Sequence, residues 1–157
     1  MLMKKYTRYL LLAMVFYVST LCSLQAQVNL NWEDLATDLN YIEQYNEEYD
    51  LTYNQPIFSP KMMMLNGEEV TIKGYVLPLD VEGSYFVLSK LPYSSCFFCS
   101  KDKNKAGPET VIELKLDDNA KKQYQMDDIV TFKGKLYLND TDMHQLYYVL
   151  KKARPIR

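Results

Sequence analysis

Two short stretches of this chain repeat each other, and together they restrict its fold more than any other feature. Val70-Thr71-Ile72-Lys73-Gly74 and Val130-Thr131-Phe132-Lys133-Gly134 each follow an acidic pair, Glu68-Glu69 and Asp127-Asp128, and each ends on glycine. Apolar residues at every second position mark a strand with one buried face. A glycine at the equivalent point of both strands marks a sharp bend, because a residue without Cβ tolerates a bulge and close backbone approach. Strands that bend in this way are those that pass from one sheet into the next in a small barrel.

The remaining periodicity fits that barrel. Asn66-Gly67 is a tight-turn signal, and the strand after it loses its pairing at Pro78. A second strand is expected from about Tyr85 to Leu91. In a third, Ile112, Leu114 and Leu116 face one way and Glu113 and Lys115 the other. Asp118 can cap a short helix over Asn119 to Tyr124. The fourth strand runs from Val130 to Leu138 and the fifth from Leu146 to about Leu150. Five strands with a short helix between the third and fourth is the order of an OB-fold. The expected class is therefore mainly β, a five-stranded OB-like barrel over residues 61–157. A plain β-sandwich is the other class open to these strands, although seven or more strands do not fit the available length.

Residues 1–26 read as a secretory signal peptide, with Lys4, Lys5 and Arg8 ahead of an apolar run from Leu10 to Val18 and a small residue, Ala26, at the end. The apolar run is too short to span a bilayer. Cys22 leaves with this segment, since Leu21 stands where a lipoprotein would carry a small residue. The mature protein is expected to begin at Gln27 and to be exported, periplasmic or secreted. Three of the 18 basic residues and none of the 20 acidic ones lie in the leader, so the remaining 131 residues carry a formal charge of −5. That balance is opposite to the one expected of a phosphate-backbone binder.

Residues 27–60 are expected to form an N-terminal amphipathic helix and a linker. Trp32, Leu35, Leu39, Ile42, Tyr45 and Tyr49 recur at intervals of three and four, and Asn31 with Asp34 supplies a capping box. Trp32 reads as a packing anchor. The stretch from Asp50 to Pro60, interrupted by Pro56 and Pro60, reads as the linker.

The candidate site is the loop holding Cys96-Phe97-Phe98-Cys99. Two thiols at this spacing can close a small disulfide, form a redox pair or offer half of a tetrahedral zinc site. Copper(I), with softer and fewer ligands, is the other metal considered. Met62, Met63, Met64 and Met143 are thioethers of the right class for it, although adjacent methionines in a strand more often fill a core. The single histidine, His144, is the one available imidazole and a weak third ligand, as a lone loop histidine is usually just exposed. Ser100 stands where covalent haem attachment would need histidine, which excludes that chemistry. Lys101, Lys103 and Lys105 would depress a nearby thiol pKa, but a lysine run in a polar loop is more often a solvated one.

A thioredoxin-like dithiol belongs at a helix start, whereas this pair follows a strand. No nucleophile and base pair for a hydrolase is present, so no catalytic residue is assigned. The function expected is a binding module with a functional cysteine loop, holding zinc or copper at Cys96 and Cys99 or pinned there by a disulfide. A thiol-disulfide redox protein is the alternative. The second alternative is an oligonucleotide- or protein-binding module without metal, with Tyr75, Tyr85, Tyr137 and Tyr147 as a stacking face. Charge and export speak against nucleic acid and leave a protein or small ligand as the expected partner.

The run from Leu65 to Leu79, the Cys96-Phe97-Phe98-Cys99 motif and Gly107-Pro108-Glu109 resemble a family of secreted bacterial proteins of unknown function with an OB-like domain. The resemblance covers most of the chain after the leader. In that family the loop can instead carry a cysteine with a histidine two positions on and a run of prolines. This chain departs from that form at Phe98. The resemblance implies a loop that presents thiol or imidazole groups and names no reaction.

Overall fold

The computed structural model describes residues 28–80, 85–97, 106–120 and 124–156. The chain runs β1 (Val28–Asn29), α1 (Trp32–Thr37), β2 (Leu39–Asn46), β3 (Leu51–Phe58), α2 (Pro60–Met63), β4 (Glu69–Pro78), β5 (Phe86–Ser89), β6 (Val111–Leu116), β7 (Asp128–Leu138) and β8 (Tyr148–Ile156). Single 3-10 turns occupy Tyr93–Ser95, Pro108–Thr110 and Asp118–Ala120.

The five long-range strands pair in the order β4-β5-β6-β8-β7, and β7 returns to β4 to close a barrel. β6 and β8 are parallel and the other barrel pairs antiparallel. This is the OB-like barrel that the repeated strands implied, with the 3-10 turn at Asp118 between its third and fourth strands. Alternation places Val70, Ile72, Val76, Phe86, Leu88, Ile112, Leu114, Phe132, Leu136 and Leu150 in the barrel core.

Both glycines sit where backbone meets backbone. A Cβ on Gly74 would stand 2.6 Å from the Ser89 carbonyl oxygen and 2.9 Å from the Trp32 ring; on Gly134 it would stand 2.8 Å from the Lys151 carbonyl oxygen. Gly67 turns with φ +86, in the left-handed region that the Asn-Gly pair implied. Its N–H donates to the Leu136 carbonyl at 2.6 Å.

The N-terminal region departs from expectation in extent. The helix is there, with the Asp34 carboxylate accepting from the Asn31 N–H at 3.2 Å, but it ends at Thr37. Leu39 to Asn46 then pair antiparallel with Leu51 to Phe58, where a continued helix and a linker were expected. The segment is rich in tyrosine and isoleucine, which favour strands, and Asn46 makes the turn by accepting the Tyr49 N–H at 3.1 Å. Pro56 fits because this two-stranded sheet has free edges. The methionine run differs as well. It lies on and just after α2, which buries Met62 completely and leaves Met63 and Met64 exposed. Ser59 and Pro60 explain this, the first capping the turn by accepting the Met62 N–H and the second occupying the first helical position.

The segment from β1 to β3 is part of the core. β5 covers only Tyr75 to Pro78 of β4, and β1 lies parallel beside Val70 and Thr71. Between them, the Trp32 indole N–H donates to the Lys73 carbonyl at 2.8 Å. Leu30, Leu35 and Leu39 join the barrel core, and the buried Tyr148 hydroxyl donates to the Leu35 carbonyl at 2.8 Å. No helix among the described residues is long and apolar enough to cross a membrane.

Candidate functional site

Outward-facing residues on a barrel strand are normally wet, yet Leu77, Val87 and Val111 are fully buried in a second apolar cluster. They alternate with Val76, Leu88 and Ile112, which point into the barrel core. What covers them is the connection between β5 and β6. The Lys90 N–H donates to the Thr110 carbonyl at 2.9 Å across the base of this loop, and the Tyr93 N–H donates to Asp127 at 2.7 Å. A 3-10 turn then delivers Cys96, which is 0% exposed, onto Leu77, Val87 and Val111. Tyr85, Leu79 and Leu146 flank the cluster. On the far side of the loop, Gly107 accepts from both the N–H and the hydroxyl of Thr110, which fixes the entry into β6.

Cys99 lies outside the described residues, as do Lys101, Lys103 and Lys105. His144 is exposed in the β7–β8 loop, its ring edge-on to Tyr49 at 5.9 Å and its N–H donating to Asp142 at 2.9 Å. Leu146, two residues on, reaches the Cys96 cluster. Among the described residues, no three His, Cys, Asp or Glu side chains gather as a metal site. The thioethers are dispersed too. Met62 is inside the barrel core, while Met143 accepts from the Asn46 amide at 3.4 Å.

Alternation sets Glu113 on the face opposite Ile112 and Leu114 and gives no sign that this face is buried there. Glu113 is 2% exposed, opposite Val87 on one side and Val149 on the other. Lys115 forms an ion pair with its Oε1, and Oε2 has no hydrogen-bond partner. Burial, with Glu113 a smaller contributor, raises the Tyr85 pKa. Nothing in the sequence separates this glutamate from an exposed one, because alternation gives the face a residue is on and not its burial.

The four tyrosines of the stacking-face reading are spread over β4, the β4–β5 connection, β7 and the β7–β8 loop. Tyr137 lies under the Lys151 ammonium, 4.0 Å from the ring centroid, and the Tyr147 hydroxyl donates to the Asn54 carbonyl at 2.7 Å. Where the β2–β3 hairpin meets the β7–β8 loop, a pocket of about 140 Å³ is lined by residues including Tyr53, Pro56, Asp140, Met143 and Tyr147. Its rim is braced. The Asn139 amide donates to the Asp142 and Gln145 carbonyls and Gln55 to the Asp140 carbonyl.

No family model, curated protein or solved structure matches the chain.

Proposed function

We propose that this protein is an exported OB-like binding module, related to the uncharacterised secreted family its motifs resemble, and that its cysteine loop is a structural clip. Cys96 and Cys99 fasten the β5–β6 loop to the barrel wall, either through a soft metal ion, zinc or copper, or as a disulfide. The ligand, a protein segment or small polar molecule, is received at the braced pocket between the hairpin and the β7–β8 loop. The observation that carries this reading is the complete burial of Cys96 against Leu77, Val87 and Val111.

A thiol that exchanges disulfides with other proteins must be reached by them, and reactive cysteines sit in partly exposed, electropositive surroundings. The apolar cluster around Cys96 is the environment of an inert sulfur. The thiol-disulfide alternative is weaker for that reason. The oligonucleotide alternative has the fold but not the arrangement, with two of its four tyrosines engaged by Lys151 and Asn54.

The test is Cys96→Ser, Cys99→Ser and the double variant, melted with and without zinc or copper(I). A metal clip predicts stabilisation by metal in the wild type, weaker at acid pH where thiols hold their protons, and lost in all three variants. A disulfide closing so small a ring predicts little change in global stability on loop-entropy grounds and no metal response. Catalytic turnover of a dithiol substrate by the wild type but not by Cys96→Ser would replace the clip with the redox reading.

A further inference from the structure

A row of lysines crosses the outer face of three adjacent strands. Lys115 of β6 is directly opposite Lys151 of β8, and Lys151 is directly opposite Lys135 of β7. Beside them, Lys152 has φ 52, and it is the residue skipped when the β6–β8 register passes from Lys115–Lys151 to Leu116–Ala153. It is therefore a bulge residue in the left-handed region without being glycine. With Tyr137, Asp117 and Asp118, these four lysines line a groove of about 480 Å³.

The Glu113 carboxylate and the Tyr137 ring offset this arrangement only at Lys115 and Lys151. Like charges directly opposite on neighbouring strands repel, and a non-glycine residue held at positive φ is strained. Strand lysines often serve to block edge-to-edge aggregation, but β8 lies between two paired neighbours here, and β7 pairs with β4 on its other side. Neighbouring carboxylates neutralise the row only in part, with Asp117 and Asp118 in the groove lining and Glu69 acting on Lys135 from beyond ion-pairing distance. Glu113 pairs with Lys115 alone, and Glu69, opposite Lys135 on β4, holds Lys133 and Arg154. Among the described residues, no carboxylate is within ion-pairing distance of Lys135, Lys151 or Lys152, while Lys151 rests on the Tyr137 ring.

We propose that this groove is a binding site for a compact phosphoryl or diphosphoryl group. Ammonium groups approach as point charges from several directions, which suits a tetrahedral oxyanion with more than one negative charge; a planar carboxylate is better matched by an arginine fork. The chain's overall negative charge and the two aspartates in the lining disfavour a long polyanion. The group arrives on a free phosphorylated molecule or on a lipid headgroup, and the site is separate from the cysteine loop and its clip.

The experiment is an NMR titration of the full exported chain with sodium pyrophosphate at constant ionic strength, alongside sodium chloride. Pyrophosphate should shift the Lys115, Lys135, Lys151 and Lys152 amides saturably. Lys135→Gln and Lys151→Gln should each weaken binding by about tenfold or more, while Lys73→Gln, exposed on β4, leaves it unchanged. Unliganded Lys135→Gln should melt no lower than wild type, because it relieves repulsion, and a folded amide spectrum makes its binding loss interpretable. Co-sedimentation with phosphatidylcholine vesicles that contain phosphatidic acid but not with pure phosphatidylcholine vesicles, lost in the same variants, assigns a headgroup source; pyrophosphate binding without it assigns a free phosphorylated molecule. Absence of both responses, or equal affinity in wild type and Lys135→Gln, overturns the proposal.

Discussion

Gly74 and Gly134 do the work at the residue scale, because each is the point where one strand crosses close over another. A side chain at Gly74 meets the Ser89 carbonyl and the Trp32 ring, and neither can move without disturbing its own pairing. Gly74→Val and Gly134→Val should each cost about 1 to 3 kcal/mol, whereas the exposed Lys73→Ala should change stability by under about half a kcal/mol. Urea unfolding of the three variants checks this, and equal midpoints would contradict the close-approach account. Glu113 makes the opposite prediction. A buried carboxylate with one oxygen unsatisfied and a partner that is half exposed is a stability liability, so Glu113→Met should leave the fold as stable as wild type or more stable by about 1 kcal/mol. A loss of several kcal/mol would show that Lys115 and Glu113 are needed as a pair. The glycines were legible in the sequence because they recur at one place in two similar strands. Glu113 was not, because alternation reports which face a residue is on and says nothing of what packs over that face.

At the scale of the elements, the N-terminal segment completes the sheet that β5 is too short to cover. The Trp32 indole N–H supplies the bond at Lys73 that lies between the reach of β1 and that of β5. Trp32→Phe keeps most of the packing and removes that donor, so it should cost roughly 1 kcal/mol, more if the carbonyl is left without water. Hydrogen exchange is the check, with faster exchange expected at Leu30, whose N–H bonds the Thr71 carbonyl nearby. Glu69 ties three strands, with Lys133 at 2.5 Å and Arg154 at 3.3 Å. The Lys133 hydrogen bond lowers its pKa below the ordinary glutamate value. Its contribution is thus present above the unfolded pKa and is lost as pH falls through the folded one. At 39% exposure solvent screening keeps it below about 1 kcal/mol. Glu69→Gln should be slightly less stable than wild type at neutral pH and equal to it in acid; a difference that persists in acid would assign the loss to packing.

These elements also show where periodicity misleads. Leu39, Ile42, Tyr45 and Tyr49 lie on one helical stripe, yet they belong to a hairpin, because spacings of three and four can also be drawn through a strand and its turn. The β-favouring partner strand Leu51–Phe58, which decides the matter, contains a proline and so read as a linker. The barrel strands were legible because alternation, turn glycines and length agreed. The fifth strand was read short, since beyond Leu150 the alternation is broken by the Lys152 bulge.

For the whole molecule, the barrel and its N-terminal extension share one core and should therefore fold as one cooperative body. Residues 61–157 alone lack Leu30, Leu35 and Leu39, each worth about 2 to 3 kcal/mol when buried, against a typical total stability of about 5 to 15. That fragment should show no cooperative thermal transition, and a two-state melt at the full-chain temperature would contradict the account. The extension also forms one wall of the pocket at the β7–β8 loop, so the ligand binding proposed there should be lost in the fragment as well. The cysteine loop rests on this same body, on the outer wall made by β4, β5 and β6. We propose that Cys96 and Cys99 are joined, directly or through a metal, and hold the loop on that wall. Native mass spectrometry of the folded protein, with and without a thiol alkylator, separates a joined pair from two free thiols. The predicted result is a single species, either the disulfide form or a metal-bound form, that resists alkylation until reduced or chelated; two thiols that alkylate freely in the folded, metal-free protein would contradict it.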